Sequence, residues 1–135
     1  MKNLVFLVLL YVAIGCSDSN IDSKTSDVAF LKRLASATSA NVSKENLPEW
    51  LADKIGEFEA DSKTISIVKI RIFKGEWENR TVYFISNTLQ SCGFCEVYYE
   101  DGAKIVWTVD AISIDDFCST SKNWVLIYEL GEGIY

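Results

Sequence analysis

The chain contains no histidine. Histidine is the side chain whose ordinary pKa lies nearest neutrality. Its absence removes Ser-His and Cys-His nucleophile pairs, His-ligated zinc and the usual general base. Basic residues are scarce as well: 13 Lys and Arg face 19 Asp and Glu, a formal net charge of −6. Nucleic acid and anionic headgroups call for a basic footprint, which argues against either as a ligand. The acids are scattered, a pattern of solvated surface rather than of a metal or cation site. A run of about 20 apolar residues, the length that crosses a bilayer, is also missing. The apolar stretch at residues 4–14 is eleven long.

That short stretch carries the clearest signal in the chain. Lys2 gives a positively charged start, the apolar run follows, and Ala13-Ile14-Gly15-Cys16 ends it with small residues before a cysteine. This is the layout of a secretory signal peptide, and its end resembles a bacterial lipobox, although Ala13 stands where Leu is usual. The reading is that residues 1–15 are removed and Cys16 is lipidated; ordinary cleavage nearby is the alternative. Several acyl chains hold a protein stably, since each buried methylene contributes about 0.8 kcal/mol and one chain binds marginally. Removal would leave 120 residues, one domain's worth, at a charge of −7. The expected location is the cell envelope. Ser17, rather than Asp, directly after the cysteine points to the outer membrane, and Asp18 resembles the acidic start of surface-exported lipoproteins, so the face is open.

Residues 16–43 are polar and small, read as a flexible lipidated tether. A short helix capped by Asp27, with Val28, Phe30, Leu31 and Leu34, is an even alternative there. Residues 44–135 are read as a single α+β domain. Leu47, Trp50, Leu51, Ile55 and Phe58 form one helical stripe, and Pro48 suits its first turn. Residues 65–73 and 81–85 are β-branched and aromatic, hence strands, with 74–80 as their link. Asp101-Gly102 predicts a two-residue type I′ hairpin joining strands at 95–100 and 103–109, pairing Glu100 with Ala103, Tyr98 with Ile105 and Glu96 with Trp107. Residues 123–130 read as the last strand. Short turns between consecutive strands predict one amphipathic helix packed on a four- to five-stranded antiparallel meander, in two layers.

Leu47-Pro48-Glu49-Trp50-Leu51-Ala52-Asp53-Lys54-Ile55, then Arg80-Thr81-Val82-Tyr83-Phe84-Ile85, then a cysteine cluster running into Val97-Tyr98-Tyr99-Glu100-Asp101-Gly102, resembles small Bacteroidetes-type lipoproteins of unknown function. The likeness spans residues 47–104. Beyond it the chain departs, because Cys118 is followed here by a hydrophobic strand instead of a Gly-Asp-rich end. The resemblance implies a fold and a location and transfers no active site.

Four cysteines stand at 16, 92, 95 and 118. With Cys16 lipidated in an oxidising compartment, three remain, enough for one disulfide and one thiol. Cys118 is expected to loop back to Cys92, with Cys95 as the alternative partner; such a closure contributes about 3–4 kcal/mol in the chain-entropy model. Cys92-Gly93-Phe94-Cys95 also resembles a thioredoxin-type redox motif. That chemistry needs a helix N-terminus after the first thiol, whereas a strand is expected here and the only proline is Pro48. A Cys₃ zinc site lacks a fourth ligand, so neither metal nor cofactor is expected.

Trp77, set among turn residues, is a candidate recognition aromatic unless it folds back on the sheet edge. Tyr98 and Tyr99, with Tyr128 and Tyr135, could line a sugar-stacking surface or sit half-buried in strands. Asp115-Asp116 reads as a solvated turn or a helix start before it reads as an acid–base pair. Asn41-Val42-Ser43 and Asn79-Arg80-Thr81 match a glycosylation pattern without meaning in a bacterial lipoprotein. The functional expectation is a non-catalytic binding or inhibitory module, held to a membrane by its lipid, with an envelope protein or glycan as ligand. The alternative is a thiol-disulfide redox protein using Cys92 and Cys95.

Overall fold

A computed structural model describes residues 21–63, 69–88, 94–107 and 114–131, with side chains from residue 26 onward. The order is α1 (Ile21–Ala35), β1 (Thr38–Ser39), a 3₁₀ turn (Lys44–Asn46), α2 (Glu49–Ser62), β2 (Ile70–Trp77), β3 (Arg80–Asn87), β4 (Val97–Tyr99), α3 (Ile114–Thr120) and β5 (Lys122–Leu130). The class is α+β.

α2 is the helix that the apolar stripe predicts. Pro48 stands just before it, its carbonyl accepting the Leu51 and Ala52 amides at 3.0 Å. Leu51 and Ile55 are fully buried, and Leu47, Trp50 and Phe58 are partly so. They pack against Ile70, Ile72, Tyr83, Ile85 and Ile127 on one face of the sheet.

β2 and β3 form a hairpin of eight antiparallel pairs, from Ile70 opposite Asn87 to Trp77 opposite Arg80. Its turn is Glu78-Asn79, both at positive φ (50° and 59°), the signature of a two-residue type I′ loop. Residues 74–77, expected as link, are therefore strand. Along β3 the side chains alternate: Val82 and Phe84 enter one core, Tyr83 and Ile85 the other. Both faces of this strand are thus buried.

The sheet is a mixed one, ordered β1-β5-β2-β3-β4, instead of a plain antiparallel meander. β5 runs back past β4 and β3 to pair antiparallel with β2, and β1 adds to its outer edge as a parallel pair, Thr38 with Val125. Length explains the choice. β2 offers an eight-residue edge to the nine residues of β5, whereas β4 has three residues and its far edge is taken by the arm after it.

That arm corrects the second hairpin. Gly102 N–H donates to the Tyr99 carbonyl at 3.0 Å, and only Gly102 has positive φ (87°). This geometry is a type I turn closed by a glycine bulge, which is one residue longer than a type I′ loop. The observed bridge is Tyr98 with Lys104, not with Ile105. A one-residue slip exchanges faces, so Ile105 lies with Val97 in the core. Beyond this bridge, 105–107 is not strand.

For the stretch read as a tether, the helical alternative holds, although the helix begins at Ile21 and Asp27 lies inside it. α1 is a helix docked on the second face of the sheet, where Phe30 is fully buried and Leu34 nearly so. Two apolar residues four apart suffice because they fill a face lined by Phe73, Phe84 and Trp124. Arg33 fixes the dock by donating to the Ser121 carbonyl at 2.6 Å and to that of Cys118, at the C-terminal end of α3.

Candidate functional site

Cys118 lies on α3 as a free, buried thiol. The expected bridge from Cys118 to Cys92 or Cys95 is therefore not formed. Residues 114–120 coil into a helix that turns Cys118 toward α1, where its Sγ–H donates to Asp27 Oδ1 at 3.7 Å. Burial, then the Asp27 and Asp115 carboxylates, push this thiol up to about 12, out of the range of a nucleophile. Cys95 is disulfide-bonded. Cys92 and Cys16 lie outside the described residues, as does Tyr135. The residues after Cys95 enter β4 without an intervening helix.

Trp77 is a core residue, 3% exposed, and not a recognition aromatic at a loop tip. Because β2 runs on to the Glu78-Asn79 turn, Trp77 points inward. Its indole N–H donates to Asp116 Oδ2 at 3.2 Å, and its ring meets Phe117 edge-on at 5.4 Å. Asp116 thus satisfies an indole, while Asp115 accepts the Ser26 hydroxyl at 3.2 Å. Both stand in the first turn of α3, where negative charge suits the helix dipole. This is the helix start that the sequence suggested.

Tyr98 is 8% exposed and likewise belongs to the core. Its hydroxyl donates to Glu96, a carboxylate that also receives Lys104 Nζ at 2.8 Å and lies 3.6 Å from Lys54 Nζ. Burial acts to raise the Glu96 pKa. The bonds from Lys104 and Tyr98 and the charges of Lys54 and Lys104 outweigh it, so the net shift is downward. Tyr98 moves upward, through burial first and then Glu96. The group is therefore a closed ionic cluster, with an anionic carboxylate and a neutral phenol at neutral pH. Trp50 lies on Tyr98 at 5.1 Å and donates its indole N–H to the Glu100 carbonyl at 2.9 Å, bracing the turn. Glu96 escaped the sequence reading because the slipped register, not the expected one, brings Lys104 to it.

Tyr99 is partly exposed, and the Arg80 guanidinium lies 3.6 Å above its ring. Arg80 of this pair lines a cavity of about 490 Å³ together with Asn79, Thr81, Glu100 and Asp101. Cavities of ~300–1,000 Å³ are the size of small-ligand sites. Both turns of the two hairpins contribute to it. A second cavity, about 360 Å³, lies across Asn79 and is lined by Glu76, Trp77, Glu78, Asp116, Thr120 and Lys122. Of the three binding aromatics expected, the buried Trp77 lines the second cavity, Tyr99 carries the Arg80 stack next to the first without lining it, and Tyr98 lines neither. In the sequence, Asn79 stands out only in a glycosylation pattern, and Arg80 there and at the start of the stretch that carries the resemblance.

Among the described residues no group of three His, Cys, Asp or Glu side chains could hold a metal ion. Among them, too, no helix is long and apolar enough to cross a membrane. Comparison with protein-family models, curated proteins and solved structures gave no match to this chain.

Proposed function

We propose that this chain is a lipid-anchored envelope protein, held through Cys16, that acts as a non-catalytic binding module. One observation carries the binding reading: the two hairpin turns converge on an open cavity lined by Arg80, whose guanidinium is stacked on Tyr99. A guanidinium held flat by an aromatic ring presents its donors in a fixed fork, suited to a carboxylate or another planar acceptor. Glu100 and Asp101 on the opposite rim offer acceptors to hydroxyl or amino groups. A polar segment of an envelope protein or a glycan fits this mixture.

The direction of titration supports binding over catalysis. Cys118, Tyr83, Tyr98 and Tyr128 are all held protonated, and Glu96 is held ionised by its partners. General acids and bases are shifted toward the working pH; these groups are shifted away from it. The anchor part of the reading rests on the charged start, apolar run and Gly15-Cys16 ending.

The test has two arms. Palmitate should label the wild-type chain and not Cys16→Ala; equal labelling ends the anchor reading. Pull-down from envelope extracts and glycan arrays should retain a ligand that Arg80→Ala loses. Retention that ignores both Arg80→Ala and Tyr99→Ala ends the site assignment.

The alternative, a thiol-disulfide protein using Cys92 and Cys95, draws on Cys95 being disulfide-bonded while Cys118 is free. Against it stands β4 after Cys95, where a reactive pair needs a helix N-terminus. Turnover of a model disulfide, lost in Cys92→Ser, would replace the binding reading.

A further inference from the structure

The outward faces of α1 and α2 differ. The exposed residues of α1 that carry described side chains are Val28, Ala29, Leu31, Lys32 and Ala35, with no acid among them. Val28 is 51% and Leu31 55% exposed, two of the three large hydrophobics left exposed among the described residues. On the opposite side, α2 exposes Glu49, Asp53, Glu57 and Asp61. α1 is no free strap: Phe30 and Leu34 bury its inner side, and Arg33 ties it to α3.

Position in the chain supplies the occupant. α1 starts at Ile21, five residues after Cys16. Five residues reach at most about 18 Å fully extended. If Cys16 carries the lipid, as proposed above, α1 is the element held nearest the bilayer. The surface then stands at a high effective concentration beside it. The anchored chain, at a charge of −7, is repelled by anionic headgroups, and repulsion is weaker at the described exposed residues of α1, which carry no carboxylate, than at α2; Asp115 and Asp116 are exposed on the neighbouring α3.

We propose that the outward face of α1 rests on the lipid surface, with Val28 and Leu31 at the boundary between headgroups and acyl chains and Lys32 among the headgroups. A rigidly docked helix in this position orients the whole domain, with the acidic side of α2 turned from the membrane. Long apolar side chains flanked by lysine are the usual residues of such interfacial contacts. The inference rests on the anchor reading, and the experiment separates the two.

The full-length protein is expressed in a bacterial envelope with a photo-crosslinking residue at position 35 or, as control, at position 57, and palmitate labelling is followed in the same cells. Position 35 should give phospholipid adducts severalfold above position 57, and Val28→Glu/Leu31→Glu should reduce them severalfold while the palmitate label stays. Both substitutions fall on an exposed face, and an unchanged circular dichroism spectrum checks the fold. Equal adducts at the two positions, adducts with a protein or a second copy instead of lipid, or adducts unaffected by the double substitution overturn the inference while the anchor stands. Loss of the palmitate label overturns the anchor, and this inference with it.

Discussion

On the face covered by α1 and α3 the core is aromatic: Phe30, Phe73, Trp77, Phe84, Phe117 and Trp124. On the face covered by α2 it is largely aliphatic, with Leu51, Ile55, Ile70, Ile72, Ile85 and Ile127 around the buried Tyr83 and Tyr98 and the partly buried Tyr128. Rings impose directions that aliphatic chains do not. Phe30 meets Phe84, Phe94, Phe117 and Trp124 at centroid distances of 5.4–5.7 Å. The indoles of this face also bring N–H groups that need partners: Trp124 finds the buried Ser121, and Trp77 reaches the exposed Asp116. The aliphatic face has part-buried polar contacts in the Glu96 cluster and in the bond from the Tyr128 hydroxyl to Glu59 at 3.0 Å. One face is held by geometry, the other by volume and an ionic cluster.

The largest expected effect tests whether α1 belongs to the core. Phe30→Ala should cost about 3–5 kcal/mol in denaturant unfolding, the range for a buried Phe, against about 2–5 for Leu51→Ala on the other face. A silent Phe30→Ala would return α1 to the status of a tether.

Glycine separates the faces more finely. A Cβ at Gly75 would lie 2.6 Å from the Trp124 indole, so Gly75→Ala should destabilise by about 1–3 kcal/mol and alter tryptophan fluorescence. At Gly56 on α2 a Cβ meets nothing within 4 Å. Gly56→Ala should therefore stabilise, by about 0.5–1 kcal/mol. Equal effects at both sites would erase the distinction.

Acid sensitivity should belong to the α2 face. The folded pKa of Glu96 is lowered from 4.5. Its contribution to stability is therefore full above that value and is lost as pH falls through the folded one. Glu96→Gln should flatten the acid limb of a stability–pH curve and cost about 1 kcal/mol near neutrality. Tyr98 works in the opposite sense: its folded pKa is raised, so its contribution is full below pH 10 and is lost as pH rises above it.

The smallest effect is at Cys118. The folded chain should leave this thiol unmodified by an aromatic disulfide reagent at pH 8, and denaturant should expose it. Fast labelling of the native state would show that the aromatic face opens.

How much of this was readable from the sequence follows the same division. The α2 stripe is legible because its aliphatic residues recur at helical spacing and face one layer. Strands β3 and β5 are legible from β-branched and aromatic density. α1 is half legible: the helix carrying Phe30 and Leu34 stands as an even alternative to a tether, but it starts at Ile21, not at an Asp27 cap, and its docking depends on rings contributed by residues 73–124. The turns misled for a local reason. Glycine at 102 drew the type I′ assignment, which in fact sits on Glu78-Asn79, a pair without glycine. Once the second hairpin was shifted by a residue, the Glu96–Lys104 pair could not be read. The Arg80–Tyr99 site was hidden because it joins two turns that are neighbours only in the folded sheet.

The parallel pairing of β1 with β5 has a kinetic consequence. Thr38 waits for Val125, Ser26 for Asp115 and Arg33 for Ser121, a separation of 85 or more residues in each case. Contacts so distant along the chain close late, because loop entropy is lost before they form. A chain that emerges N-terminus first therefore presents α1 before anything exists to receive it. The β2–β3 hairpin and α2 can condense alone, and the first helix made is the last to dock.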